Sequence, residues 1–176
     1  MRVPVLGSTV EILDVAAAIA ILTARMENNN QVLAFTNRIT CLNICKNDSL
    51  LEAIQSFSKI PSGGLDCALP IKWAVEEKTR FDAFIVFTSS ESFSGNIHFV
   101  NALKDCRSYT NNKDVRVIVV GMTHHGLSIA DPSDPLMLDI VGFDKNAPKA
   151  IQKFLLTDYQ SINSKFSQAG EDFFYN

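Results

Sequence analysis

Side chains with oxygen to offer gather at four places in this sequence. Thr88-Ser89-Ser90-Glu91-Ser92 follows an apolar run, and Met122-Thr123-His124-His125 follows another. Thr36-Asn37 closes a shorter one, and Asp66 comes directly after Gly63-Gly64-Leu65. Carboxylates and hydroxyls are the ligands that hard cations such as Mg²⁺ and Ca²⁺ take. The same residue types also cap helices and close turns, and no single residue here decides between the two roles. A nucleophile with a base is a second chemistry, because Ser, His and Asp are all present. The sequence has no Gly-x-Ser-x-Gly elbow, and His124-His125 falls on a loop after a strand, so nothing sets up the geometry of a catalytic triad. Zinc would need paired short spacings on both sides of the site. Cys41-x₃-Cys45 stands on an alternating strand and Cys67 at a helix start, far from the histidines, so inert thiols are the expected state. No Gly-x-Gly-x-x-Gly or Walker-type loop supports nucleotide binding. Trp73, Phe84, Phe87 and Phe99 fall at core spacing, which suits packing better than base stacking.

The elements that would hold these groups suit a single domain. The chain has 176 residues, 47% of them hydrophobic and 20% charged, enough for a real core. Sixteen Lys and Arg against nineteen Asp and Glu give a net charge of −3, and the basic residues are scattered, which argues against sequence-blind nucleic-acid binding by this chain alone. Val15–Ala24 is about half of what spans a bilayer. Pro4, Gly7 and Glu11 interrupt anything like a signal-peptide core. Four Cys in a chain of this size do not read as a disulfide framework, so a cytoplasmic protein with reduced thiols is expected.

Periodicity predicts a helix over 8–27 with Ser8 or Thr9 as N-cap, then two short strands over 31–36 and 38–44 forming a hairpin at one edge of the sheet. Ser49 and Glu52 have capping-box spacing and open a helix to about Ser58. Pro61-Ser62-Gly63-Gly64 stops it, and a further helix runs from Asp66 to about Lys78 with Pro70 in its first turn. Phe81–Thr88 reads as a strand covered on both faces, Gly95–Tyr109 as a helix with Phe99, Leu103 and Cys106 on one stripe, and Val115–Val120 as an interior strand. Leu138–Phe143 is a third strand, Ala147–Leu156 a last helix, and 158–176 a polar tail. This alternation predicts an α/β fold, a doubly wound, mostly parallel sheet with helices on both faces. A ligand site in such a sheet lies beyond the carboxyl ends of the strands, where the four oxygen-bearing segments fall.

Several runs carry a more specific signal. Ile60-Pro61-Ser62-Gly63-Gly64-Leu65-Asp66-Cys67-Ala68-Leu69-Pro70 and Phe84-Ile85-Val86-Phe87-Thr88-Ser89-Ser90-Glu91-Ser92-Phe93 are two of them. Val120-Gly121-Met122-Thr123, Ile129-Ala130-Asp131-Pro132 and Leu138-Asp139-Ile140-Val141-Gly142-Phe143-Asp144 are three more, with Val5-Leu6-Gly7-Ser8 and Val15-Ala16-Ala17-Ala18 towards the start. Together they resemble the von Willebrand factor A domain of the Ro autoantigen family of ribonucleoproteins, over most of residues 1–157. Such domains usually hold a metal ion through an Asp-x-Ser-x-Ser motif, a Thr in a Gly-Gly-Thr-Asp loop and a later Asp. Against that pattern Met1 stands where the first motif should have ended, Leu65 stands in place of the Thr, and Ser89 in place of the Asp. The resemblance thus implies a degenerate site at Asp66 and Ser89, with weak Mg²⁺ binding or none.

It also implies that the first, central strand of the sheet is lacking beside Phe81–Thr88, as in a fragment or a short isoform. Arg2–Val5 is too short and too interrupted by Pro4 to fill that place. Members of the family bind small non-coding RNAs, Y RNAs and misfolded transcripts through helical repeats that precede this domain. The expected role is therefore accessory and non-enzymatic: packing against those repeats, or presenting a protein-binding surface at the strand carboxyl ends, with no membrane partner. The alternatives are a metal-dependent protein-ligand module and a phosphate-binding hydrolase using the Thr88–Ser92 loop at a helix N-terminus.

Overall fold

The computed structural model describes residues 3–60, 66–89, 99–123 and 129–157. Three parallel strands, β3 (Ala83–Thr88), β4 (Arg116–Gly121) and β5 (Met137–Val141), form one sheet in the order β3-β4-β5. Alternation along β3 sends its side chains to opposite faces. Phe84 and Val86 join Val117 and Val119 of β4 under α3 (Leu69–Glu76) and α4 (Phe99–Thr110), where Ile71, Ala74, Leu103 and Cys106 are buried. Ile85 and Phe87, with Ile118 and Val120, face α1 (Ile12–Met26) and α5 (Ala147–Leu156). This is the doubly wound arrangement that the apolar runs require.

The hairpin forms as predicted, with β1 (Val32–Phe35) antiparallel to β2 (Ile39–Leu42) and Phe35 opposite Ile39. It does not join the edge of the parallel sheet, however, and makes a two-stranded sheet of its own. Helices tie the two sheets together. Leu13, Ala17, Ala20 and Ile21 of α1 pack with Ala53 and Phe57 of α2 (Leu50–Ser58) over the hairpin, while Ile12 packs on the parallel sheet. On the opposite side Trp73 of α3 and Phe35 of β1 pack against the cluster that covers Phe84.

The helix starts are set by local hydrogen bonding. Ser49 and Glu52 form the capping box the spacing predicted: Ser49 N donates to Glu52 Oε2 at 2.8 Å and Glu52 N to Ser49 Oγ at 3.3 Å. The helix predicted from residue 8 begins only at Ile12. Ser8 does not cap it, because its hydroxyl accepts from Val10 N inside a turn closed by Val5 N to Val10 O, with Gly7 at φ +71°. Leu22 of α1 is exposed. The helix predicted from Asp66 starts at Leu69, because Asp66–Ala68 are spent on a turn. Among the described residues no helix is long and apolar enough to cross a membrane.

Candidate functional site

The crevice at the strand carboxyl ends is assembled from three elements. Thr36 follows β1, and its carbonyl accepts from Asp66 N at 3.1 Å, which fixes the start of the α3 turn against the hairpin. Thr88 ends β3, buried, with its carbonyl accepting from Met122 N at 2.8 Å. Thr123, after β4, donates its hydroxyl to Ser89 O at 2.8 Å and so closes β3 and β4 over one another.

Asp66 is the one carboxylate that the sequence placed here and the structure describes. Its Oδ1 accepts from Ala68 N at 2.9 Å, and its Oδ2 lies 3.3 Å from Lys72 Nζ. One oxygen thus holds the turn into α3, and the other faces a cation one helical turn further on. A divalent ion would have to displace that ammonium and compete with a backbone donor. Asp66 and Ser89 are held by separate partners, Thr36 and Lys72 on one side and Thr123 on the other. No group of three or more His, Cys, Asp or Glu able to hold a metal ion is found among the described residues. Leu65, Ser90, Glu91, Ser92, His124 and His125, also singled out by the sequence, lie outside the described residues.

Sequence reasoning missed Lys72. The signal available was its six-residue spacing from Asp66 across a helix start. Cys67, next to Asp66, is buried, and burial together with the neighbouring Asp66 charge pushes its thiol up to about 12. A thiol in that state is neither a nucleophile nor a metal ligand at neutral pH.

Below the crevice a cavity of about 1800 Å³ runs between the two sheets. Thr36 and Val32–Phe35 form one wall, and Ala83–Ser89 the other. Ala16, Ile19 and Ala20 of α1 cover it on one face, Pro70 and Trp73 of α3 on the other.

Comparison with known proteins fits this architecture. A family model described as the Ro60 vWA domain matches residues 1–155. A Caenorhabditis elegans protein described as RNA-binding protein RO60 is 33% identical over 142 residues, covering 81% of this chain and 22% of its own length. Its Deinococcus radiodurans counterpart is 37% identical over 139 residues, covering 79% of this chain and 26% of its own. The crystal structure of the Deinococcus radiodurans RO (RSR) protein superposes with a TM-score of 0.80 at 34% identity, over 87% of this chain and 31% of that one. The chain therefore spans about a quarter of the length of the curated relatives it matches.

Proposed function

This chain belongs to the Ro60 vWA domain family, and on that premise we propose that it is an accessory domain of an RNA-binding Ro protein, one that docks and catalyses nothing. The RNA, of the Y RNA class and including misfolded transcripts, would be held by helical repeats of the longer protein. The present domain would pack against those repeats, or offer its strand-end crevice to a protein. The observation that carries this reading is the state of Asp66, whose two oxygens are engaged by Ala68 N and Lys72 Nζ. With Leu65 and Ser89 at the positions where the family usually places a Thr and an Asp, little remains to draw a cation from its hydration shell. The net charge of −3 supports an RNA contact made elsewhere, since phosphate binding needs clustered Lys and Arg.

The test has two parts. In a gel shift with a Y-type RNA at physiological salt, the 176-residue chain is expected to leave the RNA unshifted, while a protein that also carries the helical repeats retards it. Retardation by the chain alone at submicromolar concentration would overturn the accessory role. In a calorimetric titration Mg²⁺ should give no stoichiometric submillimolar heat, and such heat would restore a working metal site.

A further inference from the structure

β5 ends the parallel sheet on the side away from the cavity, and among the described residues no strand borders its outer edge. On the inner edge Val117 N donates to Leu136 O at 2.9 Å and Gly142 N to Gly121 O at 2.7 Å. By the alternation of a parallel ladder, Leu138 and Ile140 also turn their backbone groups to β4, while Met137, Asp139 and Val141 turn theirs away from it. Met137 N is spent on the turn before the strand, where it donates to Asp134 O at 3.0 Å. The N–H and C=O of Asp139 and Val141 find no backbone partner among the described residues. Such groups are a template for pairing with another chain.

The side chains along this edge say what fits it. Leu138 and Ile140 pack with Ile118 and Val120, so alternation puts Asp139 and Val141 on the other face, with Met137 against the Phe84 cluster. Neither is covered there: Asp139 is exposed, and Val141 is 61% exposed. Residues 131–144 hold four Asp and no Lys or Arg, with Asp134 already paired to Arg107 and Asp139 at mid-strand. A charge in the middle of an edge strand discourages indiscriminate pairing. It also discriminates by sign. Two copies of β5 overlapped fully in antiparallel register would set Asp139 opposite its own copy, where like charges repel, whereas a cation in that place is attracted.

We propose that the outer edge of β5 docks one extended segment of another protein, antiparallel to it, with Lys or Arg opposite Asp139 and apolar residues opposite Met137 and Val141. The segment matches the five residues Met137–Val141, because Gly142, at φ +74°, turns the chain out of the strand. Backbone pairing at Asp139 and Val141 supplies affinity, and the alternate side chains supply selectivity. The donor's central cation neutralises a carboxylate that would otherwise keep strands away, and its apolar residue covers Val141. A second acidic strand, including a copy of β5 itself, is rejected by the same carboxylate. This edge lies apart from the strand-end crevice, and the inference stands independently of the RNA reading.

The test uses the whole chain and two capped peptides, Val-Thr-Lys-Thr-Val and Val-Thr-Glu-Thr-Val. In the free protein, NMR should show the amides of Asp139 and Val141 exchanging about tenfold faster than those of Leu138 and Ile140, which are bonded to β4. The lysine peptide should slow Asp139 and Val141, leave Leu138 and Ile140 unchanged, and bind about fivefold more tightly than the glutamate peptide. Asp139→Lys, a change at an exposed position, should reverse the order of the two peptides. A lysine peptide N-methylated at its central residue should do none of this. The proposal fails if the lysine peptide at its solubility limit leaves both outer amides unchanged, if the two peptides act equally, or if Asp139→Lys leaves their order as it was. It also fails if Asp139 and Val141 are already as protected as Leu138 and Ile140 without peptide. In that case light scattering tells a dimer paired through β5 from a monomer whose own chain covers the edge.

Discussion

At the scale of single residues the crevice is defined by groups already committed to neighbours. Cys67 is the sharpest case. Its thiol ionises near 12 in the fold, against the usual 9.0, chiefly because of burial and then because of the Asp66 charge. The unfolded chain releases this proton first, so between pH 9 and 12 the native state binds more protons, and stability falls as pH rises through that window. Below pH 9 this contribution is fully present. Iodoacetamide at pH 8 should therefore label exposed Cys41 and Cys45 in native protein and leave buried Cys67 and Cys106 untouched until denaturant is added. Mass spectrometry of the labelled peptides decides it, and labelling of native Cys67 at the rate of Cys41 would refute the assignment. The sequence leads to the expectation of an inert thiol at Cys67 and a candidate ligand at Asp66. It did not show that Lys72 claims the carboxylate, because an ion pair across a turn depends on where the helix starts, and that start shifted by three residues.

At the scale of elements, boundaries move wherever a polar side chain finds a local partner. Ser49 caps as its spacing predicts because Glu52 reaches back to it, whereas the Ser8 hydroxyl accepts from Val10 N and serves the turn before α1 instead. Hairpin, helices and parallel strands were legible because apolar periodicity is set by burial. A contact invisible to that pattern joins α4 to the far end of the sheet. The Arg107 guanidinium donates to Val115 O through Nε and Nη2, at 3.1 and 2.7 Å, and through Nη1 to Asp134 Oδ2 at 2.5 Å. Asp134 in turn accepts from Leu136 N, which sets the entry to β5. Arg107→Ala would leave a largely buried carboxylate and a carbonyl without these donors, at a cost of about 3 kcal/mol. Arg107→Lys should recover less than half of that, since an ammonium cannot span both acceptors as the fork does. Urea denaturation followed by circular dichroism measures both, and full rescue by Lys would show that charge alone matters.

At the scale of the whole molecule, the strand order was legible only up to the gap. Periodicity gives which segments are strands, but which strands touch depends on what lies between them, and here a cavity separates β1 from β3. The two sides of that cavity are unequal. β3 and β4 are covered on both faces, and β4 holds fully buried residues such as Ile118 and Val120. The hairpin has four-residue strands with no fully covered position, and it reaches the rest of the fold through α1, α2 and α3. A two-stranded ladder is marginal without such packing. Local opening should therefore separate the two: amides of Ala34 and Thr40, a hydrogen-bonded pair of the hairpin, should exchange through an opening well below the global unfolding free energy, while those of Ile118 and Val120 exchange only with it. Native-state hydrogen exchange in low urea reads the difference directly. A common opening free energy for both groups would mean that the helices bind the hairpin and the parallel sheet into one cooperative unit.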